Sequence, residues 1–192
     1  MGTARKILRT LLTAALLGAG VLATFSAFSS QTESAGNNME AGSVALSSNG
    51  TTSPAYAMSD AAPGESSTPY CITATYTGSL DAEVRLYTPS TIGALGEHVT
   101  LLIETGAQAT PTTDCSGFTA DGGAALFHDT LNNLPTSFAS GVLDQGPGSG
   151  AHWGQNDSVT YRVTATLAAD APPSAQSTST GLHTLRFEAQ NQ

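Results

Sequence analysis

The chain has 192 residues, with 15 acidic side chains against six basic ones and a formal net charge of −9. An acidic surface repels phosphates and anionic headgroups, which argues against nucleic acid and peripheral membrane partners. Two cysteines, Cys71 and Cys115, offer one intramolecular bridge in an oxidising compartment.

Arg5, Lys6 and Arg9 precede an uncharged stretch from Thr10 to Phe28. A positive start, an apolar run and small residues at its end make the layout of an export signal. Nineteen residues could also span a bilayer. The weakly apolar second half, with Gly18, Gly20, Thr24 and Ser26, favours cleavage near Ser26 over a retained anchor. Residues 1–26 are therefore expected to be a signal, 27–38 a flexible leader and 39–192 one domain. The mature chain then keeps Arg85, Arg162 and Arg186 against all 15 acids, a formal charge of −12 with no lysine. Such acidity also keeps an exported protein soluble.

In "MEAGSVALS" the residues alternate from Met39, with Val44 and Leu46 marking the buried side of a first strand. Asn49-Gly50 suits a hairpin turn into a second strand, "AYAMS". Pro63-Gly64 fits the centre of a type II turn. "YCITATYTGSL" is rich in β-branched and aromatic residues, with Tyr70, Ile72, Ala74 and Tyr76 on one face. "DAEVRLYTP" turns Ala82, Val84 and Leu86 inward and Asp81, Glu83, Arg85 and Tyr87 outward. "EHVTLLIETG" groups Val99, Leu101 and Ile103. "AALFHDTL" reads as a strand, and "NNLPTSFASGVL" as one or two helical turns starting at Asn132 or Asn133. The cleanest alternation puts Val159, Tyr161, Val163, Ala165 and Leu167 on one side, and "HTLRFEAQ" closes the chain as a strand. Roughly seven to nine short strands punctuated by Gly, Pro and Ser imply an all-β fold, a two-sheet antiparallel sandwich.

Chemistry is sparse. His98, His128, His152 and His183 are too far apart for the one-turn spacing of a metalloprotease helix. A site assembled across strands with Glu97 or Asp129 stays open, against the commoner alternative of scattered surface side chains. Ser149 in "GPGSGAH" has Pro147 where a nucleophile elbow needs glycine. "GAGVLA" imitates a dinucleotide fingerprint but lies within the signal. No catalytic residue, metal ligand or cofactor is therefore assigned. Asn49-Gly50-Thr51 and Asn156-Asp157-Ser158 are formal glycosylation sequons. Trp153, the only tryptophan, is either a packing residue or part of a loop that recognises a surface. If Cys71 and Cys115 pair, closing the 44-residue separation contributes roughly 4 kcal/mol on the chain-entropy model.

The order of local features resembles the TasA and camelysin family of exported bacterial proteins. "ATFSAFSS" resembles the family's signal end, and "MEAGSVALS" its first strand. "SDAAPGESSTPYCITATYTGSL" is similar to its Pro-Gly turn, long strand and Gly-Ser-Leu turn. Further on, "DCSGF", "HWGQNDSVTYRVTATL" and "HTLRFEA" look like shorter members that carry a disulfide. The resemblance implies a jelly-roll sandwich secreted to the cell surface or matrix, touching the membrane only during export. Partners would be copies of itself, joined by donation of an N-terminal strand, or other surface and matrix components. Ala27, Phe28, Met39, Val44 and Leu46 would form the assembly segment. Camelysin-like members imply the alternative of a metallo-endopeptidase, but no residue of that chemistry carries over to this chain.

Overall fold

The computed structural model describes residues 41–49, 54–147 and 152–191. Ala27, Phe28, Met39, Gly50, Thr51 and Ser149 lie outside the described residues. Among the described residues nine strands follow in chain order: β1 (Leu46–Ser48), β2 (Tyr70–Tyr76), β3 (Ala82–Tyr87), β4 (Val99–Ala107), β5 (Thr119–Ala120), β6 (Phe127–Thr130), β7 (Val142–Asp144), β8 (Ser158–Leu167) and β9 (Arg186–Asn191). All the pairings are antiparallel. The larger sheet runs β1-β2-β8-β4-β5, with β6 also on β4, and the smaller runs β7-β3-β9. Helical structure among the described residues is confined to 3-10 turns at Ala94–His98, Leu131–Asn133, Phe138–Ser140 and Pro173–Ala175. Two of these fall in the "NNLPTSFASGVL" region where helical turns are expected. None of the described helical segments is long and apolar enough to cross a membrane.

Alternation makes the core. The period of two along β8 sends Val159, Tyr161, Val163, Ala165 and Leu167 to one face, where all are buried. Register then aligns the neighbours, with Ile72 opposite Tyr161 and Ala74 opposite Val159 on one side. On the other side, Ile103 lies opposite Val163 and Leu101 opposite Ala165. Ala82, Val84 and Leu86 of β3 face them from the smaller sheet, and Trp153, Leu131 and Leu134 fill the ends. Each fully buried Leu, Ile or Val contributes about 1.5–3 kcal/mol, so this layer is what makes the two sheets one body.

Several local expectations are corrected. The paired part of the first strand is only Leu46–Ser48, and its partner is β2, with Leu46 opposite Tyr76. Asn49 therefore does not turn into a hairpin with "AYAMS". Its side-chain Oδ1 instead accepts the Thr73 N–H at 2.8 Å. "AYAMS" forms no strand. Its Ala and Met positions supply little β-forming tendency, and Pro54 lacks a donor. Tyr87, read as outward, is buried, and its hydroxyl donates to Glu188 while the Arg186 guanidinium lies over its ring. The Pro63-Gly64 turn is as expected: Glu65 N–H donates to Ala62 O at 2.9 Å and Gly64 sits at φ +84°.

Candidate functional site

Cys71 and Cys115 form a disulfide with their Cα atoms 5.0 Å apart. Cys71 lies on the face of β2 opposite to Ile72, so the bridge ties the loop between β4 and β5 onto the outside of the larger sheet. Within that loop Asp114 accepts from Thr112 Oγ1 at 2.7 Å and from Ser116 N–H at 3.0 Å. Those bonds hold its carboxyl below the usual range. Beneath the loop, Arg162 pairs with Glu104 at 2.7 Å and lies 4.7 Å from the centroid of the Phe118 ring. The outer face is thus covered by a stapled polar lid. This is a structural arrangement with no reactive thiol, because both sulfurs are committed.

The titratable groups that would build a hydrolytic centre are dispersed. His98 pairs with Glu97 at 3.2 Å. His128 sits on β6 opposite Leu102, and His152 lies near Leu80 and Asp81. His183 meets Tyr56. Asp129 accepts from the Thr130 N–H and is held low by that bond and, first, by Asn133. Among the described residues no group of three or more His, Cys, Asp or Glu side chains is arranged to hold a metal. Trp153 is fully buried and pairs through its backbone with Ala82, so its side chain is a packing residue and not itself a recognition surface. The large indole is covered because its backbone is drawn against β3 by two hydrogen bonds, of 2.8 and 3.1 Å.

The distinctive feature is one margin of the smaller sheet. Among the described residues β9 pairs with β3 alone. Its inward side chains, Phe187 and Ala189, and the preceding Leu185 are only half-buried, whereas Ala82, Val84 and Leu86 of β3 are completely buried. Phe187 stacks on Tyr161 at 4.2 Å between ring centroids, yet its far side faces a groove of about 700 Å³. Ile72 of β2, Ser48 at the end of β1, Tyr56, Met58, Leu185 and Phe187 line that groove. Beside it, Leu182 is fully exposed. A groove at the start of an edge strand, lined on its other side by residues 54–58, is a place where an additional extended segment could pair once that cover moves.

Of the expected assembly residues, Val44 and Leu46 are half-buried against the chain's own core. The trough itself was not legible in the sequence, since nothing local to "HTLRFEAQ" states whether β9 has one neighbour or two. No protein-family model matches the chain, and no curated protein matches it.

Proposed function

We propose that the chain is a structural protein of the TasA type, exported to the cell surface or matrix, which joins copies of itself by strand addition. The observation that carries this reading is the half-exposed inner side of β9 at an edge with no described partner. The donor would be the leader 27–38 running into Met39. The disulfide and the charged-then-apolar start are in keeping with export. The finer jelly-roll assignment is supported by the way the chain alternates between sheets, with β3, β7 and β9 in one and their sequence neighbours β2, β4, β6 and β8 in the other.

Direction favours a neighbour over the chain's own leader. β1 runs towards the groove, which Ser48 lines, while Ser43 is held at the opposite end by Ser79 and Leu80. A leader entering its own groove would first have to double back over about 16 Å, five residues of strand. Twelve leader residues extended span about 40 Å, enough to reach across to a second copy without reversal. The interface is then head-to-tail, the kind that propagates into filaments.

Electron microscopy and sedimentation of the mature protein, with and without residues 27–38, test the reading. The expected outcome is filaments from the full mature chain and a folded monomer from the shortened one. Filaments that persist without the leader would overturn it.

A further inference from the structure

Residues 54–58 line the groove opposite the loop 180–185 and the first two residues of β9, Arg186 and Phe187. Ala55 and Tyr56 pack on the core and Met58 is half-buried, so the segment covers apolar surface. Yet among the described residues its backbone makes no hydrogen bond to β9 or to any other strand. Besides that packing, one side-chain contact ties it down, between the Tyr56 hydroxyl and His183 Nε2, with the two rings 5.5 Å apart.

The direction of that hydrogen bond follows from the other ring nitrogen. His183 Nδ1 lies 3.0 Å from Gly181 O, which can only accept. Nδ1 therefore carries a proton, and in the neutral ring Nε2 is the acceptor and the Tyr56 O–H donates. Burial pushes the Tyr56 phenol well up from its ordinary value and keeps it a protonated donor. The anchor is firm. The loop bearing His183 is fixed by Gly93 N–H to Thr180 O at 2.7 Å and by Thr184 N–H to Ser90 Oγ at 3.1 Å. A side chain at Gly93 would meet Ser179 O at 2.4 Å, so that close approach requires glycine.

We propose that residues 54–58 are a strap, latched by Tyr56 on His183, that covers the start of the β9 edge in the unassembled chain and must swing away before an extended segment pairs there. Its purpose rests on the strand-addition reading; its existence rests on the contacts alone. An incoming strand offers a row of main-chain hydrogen bonds that the strap does not make, so it displaces the strap once bound. Until then the strap hides a sticky edge, as natural sheet proteins do with loops and charges.

Hydrogen exchange on the monomeric mature protein tests this directly. Tyr56→Phe keeps the ring and removes the latch. Amides of residues 184–191 should then exchange about fivefold faster, the factor that one net hydrogen bond is worth. Replacing residues 54–58 by five Gly/Ser residues should raise exchange further and shorten the lag before polymers form. His183→Leu, which can neither accept nor donate, is the second test of the latch, should the phenylalanine variant fold poorly. Unchanged exchange at β9 in all three variants overturns the strap. Faster exchange with no polymer from any form, wild type included, supports the strap and overturns the strand-addition reading.

Discussion

Tyr161 on β8 donates a hydrogen bond of 2.5 Å to the Asp144 carboxylate on β7, joining the two sheets through the middle of their apolar core. Asp144 also accepts from Gly146 N–H at 2.8 Å, so both of its oxygens are engaged. Burial still dominates and pushes the Asp144 carboxyl above its ordinary value, with Asp121 adding to the rise and the two hydrogen bonds opposing it.

The sign of the resulting pH dependence is opposite to that of an ordinary ion pair. A raised carboxyl contributes stability while it is protonated and loses it as pH climbs through its folded value. Asp144→Asn removes that loss and keeps an acceptor for Gly146. As pH rises above the ordinary carboxyl value of about 4, the calorimetric Tm of Asp144→Asn should gain on the wild type. Asp114, Asp129 and Glu188, all held low, act in the other direction in both proteins and cancel in the difference. A difference in Tm that does not change with pH would contradict the buried carboxyl.

Tyr161→Phe leaves the same carboxylate short of a donor in a dry site. The expected cost is about 1–3 kcal/mol in urea unfolding at neutral pH. It should shrink when Asp144 is already asparagine, because the two side chains act as a unit.

Replacing Cys71 and Cys115 together by alanine frees the β4–β5 loop from β2. Stability should fall by about 2–4 kcal/mol. Exchange should rise first in residues 108–118, while the far half of the sandwich stays protected. Urea midpoints and residue-resolved exchange read both effects.

Trp153 is buried in the core, so iodide or acrylamide should quench its fluorescence only weakly in the native protein and strongly after unfolding. Easy native quenching would restore the idea of a tryptophan recognition loop.

An inward lysine on β9 tests the edge without touching the leader. Ala189→Lys places a charge on the half-buried side that an added strand would cover. The monomer should fold with little loss, since the long side chain can reach solvent, and filaments should vanish. Filaments of wild-type length from this variant would move the acceptor elsewhere.

Strands with strict alternation were readable because each one packs a whole face: β2, β3, β4 and β8 all stand where their apolar residues pointed. The two-residue β5 and three-residue β7 were not, since so few residues carry no period; they exist through pairing with β4 and β3. The partner of β1 was misread because Asn49-Gly50 favours a local turn, while the actual pairing with Tyr76, Thr75 and Ala74 comes from residues about 28 positions away. Tyr87 looked outward by alternation and is buried by a cross-strand network with Glu188 and Arg186 that no local pattern encodes. The disulfide followed from two cysteines alone. The groove did not, because an edge is a property of the sheet and not of a strand.

If copies join by strand addition, the run of β1, with Ser48 at the groove and Ser43 at the far end, would put each copy's entrance and exit on opposite sides. A filament built through them has two unlike tips, one showing an empty trough and the other a free leader. Copies that lack the leader still carry a trough. They would therefore seat on the leader-bearing tip and stop it, at concentrations set by the number of tips and not by the mass of protein.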